Sequence, residues 1–376
     1  MKKVNVLVCL GTRPEGVKLA PVIKMLQDQN ERFDHKICSS GQHREMLAQV
    51  FDFFEYKPDY DLDLMTAGQS LASFSSKVLS RIDAILEKAQ PDIVLTQGDT
   101  TTAFLVSLSA FYKRIKTGHV EAGLRTYDKL NPFPEEINRQ LISRVADLHF
   151  APTRRAYDNL VDEKIDKERV FLTGNTIVDA INWGIEKIKK DSKIEQEFPF
   201  NRIEKDKKVI LVTMHRRETF GKEMEDICHA LKDISKTEKD CQIVYPVHLN
   251  PNVSGPVNKI LGNTDNVILA GPLDYRAFIW LMHKSYLIVT DSGGIQEEAP
   301  TLGKPVLVIR KKTERMESVE CGISKLIGTG MKDLIYNVRQ LISDEKEYRK
   351  MIPDSNPYGD GKASEKILDN IYDYFG

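Results

Sequence analysis

Two short segments combine the residue types that hold a nucleotide diphosphate: His215-Arg216-Arg217-Glu218-Thr219 and Asp291-Ser292-Gly293-Gly294-Ile295-Gln296-Glu297-Glu298. Ser292, Gly293 and Gly294 leave backbone N–H groups uncovered at a helix start, where the positive dipole end attracts phosphate oxygens. Glu298, about one turn further on, suits the diol of a ribose. His215, Arg216 and Arg217 would bring positive charge to the same phosphates. Either segment alone is better read as a helix-entry turn or a solvated loop, since a short glycine pair is weak evidence. Their joint position is what favours binding: each follows an apolar β-type run, Val209–Thr213 and Leu287–Thr290, and ligands of open α/β sheets bind at such strand ends.

Acids and further cations recur at comparable places in the first half. The first apolar run ends in Gly11-Thr12-Arg13-Pro14-Glu15-Gly16-Val17-Lys18, where Pro14 fits a helix start and Arg13 and Lys18 are positioned to hold an anion. Lys18 reads as well as one cation on a solvated helix face. Asp99 follows the run Ile93–Gln97, with an N-cap as its competing role, and Glu121 follows Thr117–Val120. Glu135 and Glu136 open a helix after Pro132-Phe133-Pro134, and one of the two is expected to serve only the helix dipole. Asp99, Glu121 and Glu135 or Glu136 thus converge on one sheet edge, the usual equipment for moving protons. No H-x-x-x-H or H-E-x-x-H pair and no ligand spacing among the cysteines is present, so no metal is expected. A G-x-G-x-x-G run is missing after the first strand, which disfavours NAD; no cofactor is expected.

The elements that must position these residues alternate in a regular way. Val4–Cys9, His35–Cys38, Ile93–Gln97, Thr117–Val120, Leu148–Ala151 and Val170–Leu172 read as strands. Helical patterns at Glu15–Asp28, Ser70–Ala89, Thr102–Lys113 and Glu136–Ala146 lie between them. Val209–Thr213, Gln242–Pro246, Val267–Ala270, Leu287–Thr290 and Val306–Ile309 repeat the scheme around helices near Glu223–Thr237, Tyr275–Lys284 and Gly294–Leu302. Such alternation means βαβ units, hence an α/β chain with two doubly wound, Rossmann-like domains. The break falls either in the polar stretch Asp191–Lys208 or at Thr173-Gly174-Asn175, and composition does not choose between them.

With 376 residues, each of two domains has enough chain for a core. Lys and Arg number 54 against 55 Asp and Glu; a net charge of −1 gives no general attraction to nucleic acid. Five scattered cysteines without a C-x-x-C pair fit a reducing cytoplasm. Met1-Lys2-Lys3 and the apolar run after it are cut short by Gly11–Glu15, so they read as a first strand and not a signal peptide. No run approaches the roughly 20 apolar residues of a membrane span, so no membrane insertion is expected.

Quoted in order, GTRPEGVKLAPVI at 11–23, QGDTTT at 97–102, HVEAGLRT at 119–126, PFPEEINRQLISRVADLHFAPT at 132–153, GNTIVDAI at 174–181, HRRET at 215–219, DSGGIQEEAPTLGKPVLVIR at 291–310 and NPYGDGKAS at 356–364 resemble the non-hydrolysing UDP-N-acetylglucosamine 2-epimerases. The resemblance runs nearly end to end. It implies a two-domain fold of the glycosyltransferase GT-B type with the active site in the interdomain cleft, and a homodimer. It also implies a break near Thr173: an acid/base domain over 1–172 and a UDP-binding domain over 173–376, whose last helix, about Ala363–Phe375, returns to the first. Carried over by motif, Arg13, His215, Ser292, Gly293, Gly294 and Arg315 surround the diphosphate, Phe278 packs on uracil and Glu298 binds ribose. Lys18, Asp99, Glu121, Glu135 and His215 match the catalytic set. The reaction so implied eliminates UDP across C1–C2 to a 2-acetamidoglucal and adds it back with C2 inverted, supplying ManNAc-type sugars for surface polysaccharide.

Two departures accompany the resemblance. Thr313-Glu314-Arg315-Met316-Glu317 keeps the arginine but carries methionine where the family has proline. The glutamine-histidine-arginine-glutamine run of a second, activating UDP-GlcNAc site reads Gln42-His43-Arg44-Glu45, and the place of an arginine reads Ala67-Gly68-Gln69. Full dependence on UDP-GlcNAc as activator is therefore not expected. A GT-B glycosyltransferase and a hydrolysing 2-epimerase are the competing functions, because fold and nucleotide site do not fix chemistry.

Overall fold

The computed structural model describes residues 2–41, 44–64, 68–191 and 193–376. Gln42, His43 and Ala67, on which the second-site expectation turns, lie outside the described residues. The chain divides into two compact units, Met1–Ala180 with Tyr358–Gly376, and Ile181–Pro357.

The first unit is a seven-stranded sheet of β1 (Val4–Leu10), β2 (Phe33–Ser39), β3 (Tyr60–Asp61), β4 (Ile93–Gln97), β5 (Lys116–Val120), β6 (Leu148–Ala151) and β7 (Val170–Leu172), in the order β3-β2-β1-β4-β5-β6-β7. Every pairing is parallel. Helices cover both faces of such a sheet, so its central strands must be apolar on both sides. Accordingly β4 is buried throughout and β1 nearly so. Winding reverses between β1 and β4, and the loops leaving their carboxyl ends diverge there. The loop carrying Arg13 and the loop carrying Asp99 are those two.

The second unit holds β8 (Lys208–Thr213), β9 (Cys241–Pro246), β10 (Val267–Ala270), β11 (Leu287–Thr290), β12 (Val306–Val308) and β13 (Ser324–Leu326), ordered β10-β9-β8-β11-β12-β13 and again parallel. Its reversal lies between β8 and β11, where Thr213 pairs with Thr290. The two diphosphate-type segments follow those residues.

The first unit extends beyond Thr173 for a local reason. The Asn175 N–H donates to the Tyr358 carbonyl at 2.8 Å, and the Asp179 carboxylate accepts the N–H groups of Ala363 and Ser364. The start of helix Thr176–Lys189 is thereby bound to the segment that opens the last helix, Ala363–Phe375. That last helix packs on helix Arg13–Asp28 and is fastened by an Arg32–Asp369 pair at 2.8 Å and an edge contact of Phe33 with Tyr372. The Asp191–Lys208 stretch belongs to the second unit, where Phe200 packs on Trp280 and Arg276 pairs with Asp191 and Glu197.

Some elements escape the sequence pattern. β3 and β13 have two and three residues, too few for a periodicity. Helix Pro251–Leu261 contains Gly255 and Pro256, which argue against a helix. An Asn250 cap on the Asn252 N–H and burial of Val253, Val257, Ile260 and Leu261 outweigh that local cost.

Candidate active site

In the first unit, helix Arg13–Asp28 starts from Thr12 with a reciprocal cap: Glu15 reaches back to the Thr12 N–H. Glu15 does more than cap. One carboxylate oxygen accepts from the N–H groups of Gly11 and Thr12, at 2.9 and 2.6 Å, and from the Thr12 hydroxyl at 2.8 Å. The other accepts from the Thr100 hydroxyl at 2.7 Å, so the β1 and β4 loops are tied together through a single buried side chain. Burial pushes its pKa up, opposed by the hydrogen bonds from Thr100, Thr12 and Gly11. Three residues along, Lys18 is on the buried face of the same helix. Arg13 is half-buried, and its guanidinium has no hydrogen-bond or ion-pair partner among the described residues.

Lys18 pairs with Oε1 of Glu121, Gln97 donates to Oε2, and Asn175 Nδ2 donates to Oε1 at 3.3 Å. Glu121 is 8% exposed and its backbone has φ 65°, a left-handed conformation uncommon outside glycine. Such strain concentrates at functional sites because the surroundings must enforce it. On the β4 loop, Arg139 donates to Asp99 Oδ2 at 2.5 Å and Asn138 to the Asp99 carbonyl at 2.9 Å. Thr100, not Asp99, caps the helix that follows, accepting the Ala103 N–H. Asp99 is thus released from its bland alternative.

The adjacent acids Glu135 and Glu136 separate cleanly. Glu136 is fully buried, accepts the Thr126 and Tyr127 N–H groups at 3.0 and 3.1 Å, and pairs with Arg139 at 3.4 Å. Its carboxyl lies below the usual range: hydrogen bonds from Thr126 and Gln140 and the Arg139 charge together outweigh burial, the largest single influence, which acts the other way. It is the structural acid of the pair. Glu135 is half-buried, and no hydrogen bond or ion pair reaches its carboxylate among the described residues.

In the second unit, Asp291 joins the two diphosphate-type segments. Its Oδ2 accepts the N–H groups of His215 and Arg216, both at 2.9 Å, and its Oδ1 lies 3.3 Å from His215 Nδ1. Partial burial, with the nearby Arg216 and His248, lowers the His215 pKa although Asp291 raises it. The imidazole is therefore neutral near pH 7, and the positive charge expected of it there is carried by the arginines. Its ring stacks on His248, which stands in the loop after β9. Ser292 and Gly293 open helix Gly293–Glu298, with Glu298 half-buried at its end and Gly294 exposed. Arg315 pairs at 2.5 Å with the buried Glu297, and Arg216 and Arg310 flank Glu314, whose carboxyl is pushed down to about 2 mainly by Arg315 and Arg310 against the effect of burial. A methyl group on Gly293 would come within 2.9 Å of the Glu314 carboxylate, which would have to move aside. Phe278 is half-buried on helix Tyr275–Lys284. Among the described residues no group of three His, Cys, Asp or Glu is arranged for a metal ion.

The profile of the UDP-N-acetylglucosamine 2-epimerases matches residues 24–372. The chain belongs to that family. It is 50% identical over 371 residues to the UDP-N-acetylglucosamine 2-epimerase of Escherichia coli K12, covering 98% of each. The UDP-GlcNAc 2-epimerase of Neisseria meningitidis, solved with UDP-GlcNAc bound, superposes with a TM-score of 0.90 at 46% identity, over 98% of this chain and 100% of that one. The S. aureus protein MnaA, solved with UDP, gives 0.87 at 46%, over 99% and 97%. The pair of Rossmann-like units is that of the family's GT-B-like fold.

Within this 2-epimerase, position alone brought out the acids and cations at strand ends. Four buried polar residues that hold them were not legible: Glu15, His119, Asp291 and Glu297. His248, two residues beyond the strand end at Pro246, was in principle visible as another strand-end group.

Proposed function

We propose that this chain interconverts UDP-N-acetylglucosamine and UDP-N-acetylmannosamine by elimination and re-addition of UDP. The observation that carries the reading is the set of three acids with different settings at the β4 and β5 ends and the helix beside them: Glu121 on Lys18, Asp99 on Arg139, and Glu135 without a partner among the described residues. In the forward direction a carboxylate removes the C2 proton. The C–H electrons form the C1–C2 double bond, and the C1–O bond breaks with its electrons leaving on UDP. A second acid then delivers a proton to the other face of C2, and the UDP oxygen attacks C1. Inversion needs two groups, and Asp99 with Glu121 or Glu135 supplies them. Arg13, Ser292, Gly293, Gly294 and Arg315 would stabilise the departing diphosphate, with His215 beside them as a neutral donor. Phe278 and Glu298 are assigned to uracil and ribose.

Incubation of the purified protein with UDP-GlcNAc in D2O tests this. Both UDP-sugars should acquire deuterium at C2, with no acceptor required. Free ManNAc and UDP as the products would identify a hydrolysing enzyme instead, and transfer only in the presence of an acceptor a glycosyltransferase.

We further propose that the protein acts in the cytoplasm as a homodimer and feeds ManNAc-type sugars to surface polysaccharide. All five cysteines are free thiols, as a reducing compartment keeps them. Among the described residues no helix is long and apolar enough to cross a membrane. Exposed Phe111 and Tyr112, and Ile137 and Leu141 on the neighbouring helix, offer apolar surface for a second copy.

A further inference from the structure

His119 lies in the interior of β5 and is completely buried. Its Nε2 is 2.7 Å from the Gly98 carbonyl, which only accepts, so Nε2 carries the proton and donates. Nδ1, the bare nitrogen, is buried and has no hydrogen-bond partner among the described residues. The Gly98 N–H is held as well, donating to the Val120 carbonyl at 3.0 Å. Both polar groups of this residue are therefore captured by β5. Gly98 needs that grip because it turns the chain in the left-handed region, at φ +72°, immediately before Asp99. Two residues beyond His119, Glu121 begins the next loop in a left-handed conformation of its own.

We propose that His119 is a positioning residue of the 2-epimerase reaction: through the Gly98 carbonyl it sets where Asp99 stands relative to Glu121. The inference rests on the reading given under Proposed function. Asp99 Oδ2 is fixed on its other side by Arg139, so its carboxylate is held from the loop and from the helix at once. Loss of the His119 bond frees the loop at its sharpest turn and orphans a buried carbonyl. A proton-transfer step tolerates little of that, since a misplacement of about 1 Å costs on the order of 100-fold in rate. The contacts assigned to UDP lie in the second unit, apart from Arg13 on the helix after β1, and none is made by the β4 loop itself. The charged and titratable neighbours of the ring are His149 on β6, Arg125 and Arg139. With them, burial keeps the imidazole neutral, and it acts as a donor and not as a proton carrier.

The test compares H119Q, whose amide nitrogen reaches the place of Nε2, with H119F, which fills the space without a donor. Turnover of UDP-GlcNAc, C2 deuterium incorporation and UDP affinity are measured on each full-length enzyme, with circular dichroism as the check of folding. H119F should lose about 30- to 100-fold in kcat and in deuterium incorporation together, with the Kd for UDP within about twofold. H119Q should keep turnover within about threefold and the wild-type pH profile of kcat. Wild-type turnover in H119F overturns the proposal, as does equal loss in H119Q and H119F. Should H119F fail to fold, H119Q alone decides: turnover and pH profile kept support donation, and a profile that changes overturns it. Failure of the wild-type enzyme to epimerise would refute the proposed reaction, a result distinct from any of these.

Discussion

Glu121→Gln is the most informative single change in the first unit. The carboxylate accepts from Lys18, Gln97 and Asn175, and the Lys18 and Glu121 side chains are 11% and 6% exposed. An amide offers one oxygen in place of two, so one donor among Lys18, Gln97 and Asn175 would face an N–H group, and the Lys18 ammonium would lose the Glu121 charge. Removing one partner of a buried ion pair costs about 3–5 kcal/mol. Slight exposure of the pair places the cost toward the lower end, about 3 kcal/mol. In a unit of this size each kcal/mol moves the melting temperature by about 2–4 °C, giving a drop of about 6–12 °C.

The size of that drop separates two explanations. If it comes from the lost attraction between the Lys18 ammonium and Glu121, removing the Lys18 charge as well must recover stability: Lys18→Met combined with Glu121→Gln should melt several degrees above Glu121→Gln alone. Both proteins should be inactive, because the double variant restores no proton acceptor. Thermal unfolding by circular dichroism, paired with separation of the UDP-sugars after incubation, measures both quantities. Melting of Glu121→Gln within about 2 °C of wild type, or a double variant less stable than the single, would refute the reasoning.

The adjacent acids should part company in the same two assays. Glu135→Gln is expected to leave the melting temperature within about 1 °C and to lower turnover by roughly 100-fold or more, whereas Glu136→Ala strips two part-buried N–H groups of their acceptor and should cost about 2 kcal/mol in urea unfolding. Gly293→Ala, whose methyl would press on Glu314, should weaken UDP binding about tenfold by calorimetry at a cost typical of crowding, with a melting temperature close to wild type. Burial lowers the His119 pKa to about 3 from an unfolded value of about 6.5, so the unfolded chain gains a proton that the folded one refuses. Stability is then lost as pH falls from about 6.5 toward 3; H119Q should lessen the slope by one proton, about 1.4 kcal/mol per pH unit, in urea titrations between pH 6 and 4.

What the sequence disclosed and what it hid follow from geometry. β1, β4, β8 and β11 were legible because a parallel strand covered on both faces must be apolar throughout. Asp99, Glu121 and His215 stood out as candidates because each is the first ionisable residue past the end of a strand. Glu135 and Glu136 could not be separated, since adjacent residues on a helix differ by about 100° in direction and only the fold decides which of them meets the loop at Thr126. Glu15 looked like an ordinary first-turn acid, and its bond to Thr100 spans 85 residues of sequence. His119 sat inside a predicted strand, where a polar residue gives no hint of the carbonyl it will meet. His215 read as a cation, and its charge was decided by burial that no residue type reveals.

Both sheet reversals are built on one physical plan, and the plan suits the proposed reaction, in which the leaving group is caught again. Donors and acids recruited from solvent-exposed side chains would have to reorganise twice in each turnover, once for departure and once for return. Here the exposed or half-buried groups Arg13, Asp99 and His215 stand on loops or at a helix start whose backbones are held by fully or nearly fully buried polar residues. Asp291 takes the N–H groups of His215 and Arg216; Glu15 takes those of Gly11 and Thr12 together with the Thr100 hydroxyl; His119 takes the Gly98 carbonyl. Burying a carboxylate is costly unless hydrogen bonds offset it, and each of these carboxylates has at least two backbone donors. Exposure thus sorts the site by role. Substitutions at the exposed tier should change chemistry with little effect on folding, and those at the buried tier should change both, with conservative donors or acceptors restoring each in proportion.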